Sequence, residues 1–323
     1  MDLHVVAPLA SPVEREAVDA VLSPRIGPPR SGWQGGVRDM AVDGHIAHGG
    51  HEARSHRDLL LPALHGVQSR IGFISQPALA YICRRLTVPP AEAYGVATFY
   101  ALFATSPRPP VVAHVCDDIA CRLSGAEELC EALERSLGRP GAPVLDGGAT
   151  WLRSPCLGQC ERAPAALFTI AGETPRTVAV APIDAAGVVA RLEAPPGDPI
   201  EAPSAPSDAR LEGLRTSVPQ AGAAGLRLLA RIGRVDPTSL DDVRANGGYR
   251  ALARAFELGP QRVIDEVAAS KLVGRGGAAF PTGRKWAAVA TQPARPHYLV
   301  CNADESEPGT FKDRALLEED PFA

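Results

Sequence analysis

Apolar residues recur at helical spacing from Asp58 onward. Leu60, Leu64, Val67 and Ile71 fall on one face of a predicted helix. Gln76-Pro77 opens a second helix, with Pro in its first turn and Leu79, Ile82 and Leu86 on one side. Pro89-Pro90 opens a third, through Val96, Phe99 and Phe103. Three short helices with tight links over residues 57–108 predict a small bundle. From Pro109 the period changes. Val111–Val115 reads as a buried strand. Ser124-Gly125-Ala126-Glu127 reads as a capping box opening a helix whose Leu129, Leu133 and Leu137 face one way. A strand near Thr150–Arg153, a hairpin from Ala165–Ile170 and Thr177–Ala181, and a helix over Ile183–Leu192 complete residues 109–193.

The order strand, helix, strand, hairpin, helix describes a small α/β sandwich of thioredoxin type. Residues 1–56 are rich in Pro, Gly, His and Ala and carry no sustained period, so they read as a disordered tail. His45, His48, His51 and His56 lie there, as a solvated stretch in preference to a metal site. Residues 194–225 read as a linker, with five prolines between Ala194 and Ser207. A second α/β region occupies residues 226–323. In it Pro260 opens a helix carrying Val263 and Val267, and His297–Cys301 reads as a strand.

The chain has 323 residues, 45% hydrophobic and 22% charged, which suits a globular protein of two domains. A net charge of -4 without a basic stripe argues against nucleic acid as a partner. No apolar run approaches the roughly 20 residues of a membrane span. The N-terminus has no basic region followed by an apolar core, so no signal peptide is expected and the cytoplasm is the expected compartment. Thiols stay reduced there, and seven cysteines, an odd count, speak against a disulfide framework.

Four of those cysteines form two pairs. Cys116 and Cys121 precede Cys156 and Cys160, with 35 positions from Cys121 to Cys156. Each pair follows a predicted strand, so in a thioredoxin-like sheet the four thiolates can converge. Soft thiolates select zinc or an iron–sulfur cluster. Structural zinc favours tighter knuckles, whereas a two-iron rhomb needs ligand pairs at opposite ends. Amides at the start of the helix near Ser124 could offset its negative charge. On spacing alone, cluster, zinc and a structural role all stay open. Cys83 and Cys130 fall on apolar helix faces and read as core.

The stretch Pro89-Pro90-Ala91-Glu92-Ala93-Tyr94-Gly95-Val96-Ala97-Thr98-Phe99-Tyr100, the cysteine spacing and the loop Ser154-Pro155-Cys156-Leu157-Gly158-Gln159-Cys160 resemble the thioredoxin-like [2Fe–2S] subunit of respiratory complex I. The resemblance runs from about Leu59 to Leu192. It implies that Cys116, Cys121, Cys156 and Cys160 are the ligands of a [2Fe–2S] cluster.

Gly274-Arg275-Gly276-Gly277-Ala278-Ala279 fits a loose dinucleotide pattern, but a helix rather than a strand is predicted before it. A bare backbone there can approach a flat ring or a phosphate; a plain tight turn is the alternative. Phe280-Pro281-Thr282-Gly283-Arg284-Lys285-Trp286 follows, and Cys301-Asn302-Ala303-Asp304-Glu305-Ser306-Glu307 leaves the predicted strand. Together with Arg231–Leu252, these segments resemble the start of the FMN-binding subunit of complex I, shared with NAD-linked hydrogenases and formate dehydrogenases. The resemblance implies that Gly274, Arg275, Gly276, Lys285, Asn302, Asp304, Glu305 and Ser306 contact FMN, with Gly277 in the same loop. It also implies that Phe280, Lys285 and Glu307 line the NADH side. Cys301 reads as packing. Ala279 stands where that family usually has Gly, and Ala288 where it often has an aromatic residue. The chain stops inside the family's flavin domain, before its later nucleotide loops and its [4Fe–4S] cysteines.

The expected architecture is a helical head, a thioredoxin-like [2Fe–2S] domain and the start of an α/β FMN-binding domain. The expected role is an electron-transfer subunit of an NADH dehydrogenase (diaphorase) module. It would pass electrons between NAD(H), FMN and iron–sulfur clusters, alongside other subunits of a hydrogenase, formate dehydrogenase or complex I-like assembly. No acid–base residue is required for hydride transfer, since the cofactors carry the chemistry. The alternative is a docking module that holds zinc or a cluster without turnover.

Overall fold

The computed structural model describes residues 9–27, 56–194, 214, 217–218, 220–275 and 277–322. They fall into two compact units, Met1–Ser204 and Ala205–Ala323.

The first unit begins with a helix that the composition of residues 1–56 conceals. α1, Pro12–Ile26, starts at a complete capping box: the Glu14 amide donates to Ser11 Oγ, and the Ser11 amide donates to Glu14 Oε2 at 2.6 Å. The expectation of a disordered tail is therefore wrong for this stretch. Its physical reason is burial: Val18 and Leu22, one turn apart, are fully buried against the head. His45, His48 and His51 lie outside the described residues.

The head continues with α2, Leu60–Ile71; α3, Gln76–Leu86; and α4, Pro90–Phe99. α3 is capped by Ser75, whose Oγ accepts from the Ala78 amide at 3.1 Å. Val18, Leu22, Leu64, Val67, Ile82 and Leu86 form one core. Gly66 in α2 lets α1 approach, because a Cβ there would sit 2.7 Å from Val21 Cγ2. Arg85 on α3 ion-pairs with Asp19 on α1, and the Tyr81 hydroxyl donates to Asp19 at 2.8 Å. Phe99 does not join the core as its spacing predicts. The helix ends there, Ala93 and Ala97 point inward instead, and Phe99 is 78% exposed. Phe103 folds back beneath His65, ring centroids 4.6 Å apart.

A four-stranded sheet follows, in the order β2-β1-β3-β4. Its strands are β1, Val111–Cys116; β2, Ala149–Ser154; β3, Ala166–Ile170; and β4, Arg176–Val180. β1 runs parallel to β2 and antiparallel to β3. Between β1 and β2 lie a single turn, α5 (Ile119–Arg122), and α6 (Ala126–Leu137); α7 (Ala185–Glu193) closes the fold. Leu129 and Leu133 of α6 and Val188 and Leu192 of α7 pack on Ala113, Val115, Trp151 and Phe168 of the sheet. Cys130 joins this core and Cys83 the core of the head, as their spacing predicts. The Gly172 amide donates to the Ser69 carbonyl at 3.0 Å, and Arg108 Nε to the Gly72 carbonyl at 2.9 Å, fastening the sheet to the head.

The predicted capping box at Ser124 does not form. α6 begins after Gly125, whose φ of 87° suits only glycine, and the Ser124 hydroxyl donates backward to the Ala120 carbonyl. Glu127 turns to Arg153 instead, a tertiary ion pair that outcompetes the local cap.

The second unit holds α8, Leu240–Ala245; α9, Arg250–Leu258; α10, Pro260–Ala269; α11, Thr282–Ala290; and α12, Lys312–Glu319. Leu214, Val218, Ile232 and Ala315 form a small core. Gly283 permits the contact of α11 with α10, since a Cβ there would lie 2.6 Å from Ala268 Cα. His297–Cys301 is not a strand. A strand needs a neighbour to take up its backbone groups, and among the described residues none pairs with it. Tyr298, Leu299 and Val300 are consequently exposed, and so is Cys301, which was expected to pack.

Candidate metal centre and glycine loop

Parallel pairing of β1 with β2 sends both strands out at the same end of the sheet. Cys116, the last residue of β1, is in register with Ser154, the last of β2. Cys156 follows two residues later. The Asp117 amide donates to the Ser154 carbonyl at 3.1 Å, and the Cys116 amide to the Ala165 carbonyl at 2.9 Å. These bonds hold the two cysteine loops side by side. α5 then returns the chain so that Cys121 meets Cys116. In the second loop the Sγ atoms of Cys156 and Cys160 are 3.3 Å apart, and the Gly158 amide donates to Cys156 Sγ at 3.4 Å.

Cys116 and Cys121 are buried with Ala126 and Ala165, flanked by Leu157, Ala163 and Ala181. Cys156 and Cys160 are half-buried. All seven cysteines of the chain are free thiols. Burial, with Cys116 beside it, pushes the Cys121 thiol up to about 12. Burial also raises Cys156 to about 11, against the lowering pull of the Gly158 amide. The charge of Cys160 is felt at Cys121 and that of Cys116 at Cys156, so the two pairs share one electrostatic environment. Four soft sulfur donors, two buried and two half-buried, fit a [2Fe–2S] group by their chemistry. Among the described residues, no three His, Cys, Asp or Glu side chains stand close enough together to hold a metal ion as they are placed. The thiols come as two pairs, the division that a two-iron rhomb uses.

Two charged residues beside the cysteines escaped the sequence reading. Asp118 is half-buried: its Oδ1 accepts from the Ile119 amide at 2.7 Å and its Oδ2 from the Cys156 amide at 3.0 Å. Arg153 on β2 donates to both Glu127 oxygens at 3.0 and 2.8 Å and to Asp117 at 3.3 Å. Glu127 is held below its ordinary value by the Arg153 hydrogen bond. The one signal for either residue was an Asp-Asp pair directly after Cys116.

In the second unit the glycine loop is closed by a short bridge. The Gly274 amide donates to the Phe280 carbonyl, and the Thr282 amide to the Leu272 carbonyl, each at 2.9 Å. Gly274, Arg275 and Gly277 are exposed within it; Gly276 lies outside the described residues. Ala279 has φ 45°, the left-handed region that suits the glycine usual in the resembled family. Phe280 and Lys285 line an open groove of about 570 Å³ with Arg284, Ala288, Val289 and Gln292, and the Arg284 guanidinium lies 5.6 Å from the Phe280 ring centroid.

The acidic segment is a separate turn. The Asp304 amide donates to Asn302 Oδ1 at 3.0 Å, and Ser306 faces Asp304 at 3.5 Å. Asn302, Asp304, Ser306 and Glu307 are exposed. Glu305 is engaged: its carboxylate accepts from the Asp313 and Arg314 amides at the start of α12 and from Lys312. Burial pushes this carboxyl up, but those donors outweigh it and hold it below its ordinary value. Among the described residues, no hydrogen bond joins the glycine loop to this turn.

Residues 46–181 match the family described as thioredoxin-like [2Fe-2S] ferredoxin, and residues 267–323 match the Nuo51 FMN-binding domain. The alpha chain of the NAD-reducing hydrogenase HoxS of Cupriavidus necator is 32% identical over 274 residues, which is 83% of this chain and 42% of that protein. One chain of the NADH-quinone oxidoreductase of Aquifex aeolicus is 51% identical over 94 residues, 29% of this chain and 22% of that one. A crystal structure of NAD+-reducing [NiFe]-hydrogenase in the H2-reduced state aligns with TM-score 0.52 at 26% identity, covering 81% of this chain and 41% of the other. The chain thus spans less than half the length of these relatives.

Proposed function

This chain joins a thioredoxin-like [2Fe–2S] ferredoxin region to the start of a Nuo51 FMN-binding domain, and on that premise we propose that it is an electron-transfer component of an NADH dehydrogenase (diaphorase) module. The single observation that carries the reading is the placement of two thiol pairs on adjacent loops at the shared end of β1 and β2.

Cys116 and Cys121 would hold one iron and Cys156 and Cys160 the other. When bound, the cluster would store one electron at a time, and FMN would accept one hydride, a two-electron unit, from NADH and release those two electrons singly. The chain's own residues bind, orient and exclude water. Buried Cys116 and Cys121 keep one end of the site dry, while half-buried Cys156 and Cys160 leave the other end nearer the surface. In the second unit, Arg275 and Lys285 supply exposed positive charge for a phosphate, and Phe280 an aromatic face for a ring. Gly274, Gly276 and Gly277 would let backbone approach the flavin. Asn302, Asp304, Ser306 and Glu307 offer acceptors and donors at its edge. Glu305 acts by holding α12, because its oxygens are already taken.

The module would work beside other subunits of a hydrogenase, formate dehydrogenase or complex I-like assembly, in the cytoplasm. Among the described residues, no helix is long and apolar enough to cross a membrane. The test is metal and sulfide analysis of the purified chain with its visible spectrum. Two irons and two acid-labile sulfides per chain, with reddish-brown absorption, are expected. A colourless chain carrying zinc would overturn the reading.

A further inference from the structure

We propose that Asp118 is a positioning residue for the sulfur site, its one carboxylate fastening the two cysteine loops together and keeping negative charge beside them. The inference rests on reading the four cysteines as cluster ligands.

Oδ1 of Asp118 caps the single turn, α5, that brings the chain back to Cys121. Oδ2 accepts the amide of Cys156, 38 positions further along. A rigid group with two oxygens therefore spans from the first ligand pair to a member of the second. The neighbouring ties stop short of the ligands: the Asp117 amide reaches the Ser154 carbonyl, and the Asp117 carboxylate reaches Arg153. The Asp118 carboxylate thus bonds directly to a residue of the second pair.

Electrostatics adds a second consequence. Amide hydrogen bonds to cluster sulfurs favour the reduced state, and nearby negative charge opposes it. Asp118 acts in both senses. It occupies the Cys156 amide, which then cannot donate to a sulfur, and it adds a carboxylate next to the ligands. The site is thereby held at a lower potential than the cysteines and backbone alone would set.

The experiment compares the unmodified chain with Asp118→Asn and Asp118→Ala. Asn keeps the size but has one acceptor where Asp has two, and carries no charge. Ala removes both bonds. Circular dichroism checks that each variant is folded. Three readouts follow: the midpoint potential by EPR-monitored titration, the rate of bleaching under a chelator, and amide hydrogen exchange of the peptide containing Cys156. The expected result is a positive shift of potential in both variants, bleaching several-fold faster in Asp118→Ala than in Asp118→Asn, and faster exchange at Cys156. Potentials and bleaching rates equal to those of the unmodified chain in both variants would overturn the inference. If the unmodified chain holds no iron, it is the reading of the site that fails. Hydrogen exchange then decides the staple alone, and an unchanged Cys156 amide in Asp118→Ala sinks it.

Discussion

The Ser75 hydroxyl donates to the Glu14 carboxylate, so the caps of two helices are one hydrogen-bonded unit. Glu14 closes the capping box of α1 through the Ser11 amide, while Ser75 caps α3 by accepting from Ala78. Sixty-one positions separate the two residues, and their meeting fixes where α1 enters the head.

Glu14 gives the head an acid-sensitive contact. Burial raises its pKa, but the hydrogen bonds from Ser75 and Ser11 outweigh that and leave it below 4.5. A lowered native value means the contact stabilises fully above pH 4.5 and fades as pH falls through the native value. Urea unfolding between pH 7 and pH 3 should show this loss, and Glu14→Gln should flatten the curve across the same window. Ser11→Ala should cost about 1 kcal/mol at pH 7.

Gly283 is predicted to tolerate no side chain. A Cβ would press on Ala268 at 2.6–2.8 Å, on backbone as well as side-chain atoms. Gly283→Ala should destabilise the second unit by about 1–3 kcal/mol, read from denaturant midpoints. An unchanged midpoint would mean that α10 and α11 yield without cost.

Ala279 offers the opposite experiment. Its φ of 45° is unfavourable for a residue with a Cβ. Ala279→Gly should relieve that strain and raise stability by up to about 1 kcal/mol, less the extra freedom glycine gains in the unfolded chain. Thermal unfolding of the two chains side by side provides the check.

The cysteines should separate into two classes. Cys116→Ser, Cys121→Ser, Cys156→Ser and Cys160→Ser should each bring visible absorption down to background. Cys301→Ser should leave iron content unchanged, since Cys301 is exposed and belongs to the other unit. Cys83→Ala should also keep its iron while unfolding more easily, because it empties a buried site in the head. Chelator treatment of the unmodified chain should lower the melting temperature of the first unit by mass action.

Much of the first unit was legible in the sequence because its signals are local. Apolar stretches marked β1 and the β3–β4 hairpin, and the paired cysteines stood out by spacing. What escaped was decided elsewhere in the chain. α1 carries a proper Ser11-to-Glu14 box, but Gly-, Pro- and His-rich neighbours obscured it, and its burial depends on a head that starts thirty residues later. Ser124 looked like a cap because the competing claim of Arg153 on Glu127 comes from a strand 26 positions away. The acceptor role of Asp118 is equally remote, realised only when β2 lies beside β1. Tyr298–Val300 has strand composition, yet composition supplies no partner strand. Glu305 matches a flavin motif by position; that its carboxylate also accepts from the first amides of a helix is not announced by the motif.

The parallel register of β1 and β2 divides the sequence into parts that can drift and parts that cannot. The Leu145–Gly147 turn lies beyond the bonds that tie Gly141, Ala142 and Val144 to β2, so insertions there alter the chain length between the cysteine pairs without disturbing the register of β1 and β2. A single residue added within Ala149–Ser154 would behave differently. It would break the register on one side of the insertion, either turning Trp151 out of the core or shifting Cys156 away from the end of β1. Distant homologues should therefore vary freely in total spacing while keeping strict count over the last strand residues, a pattern that would flag such a site where overall similarity has faded.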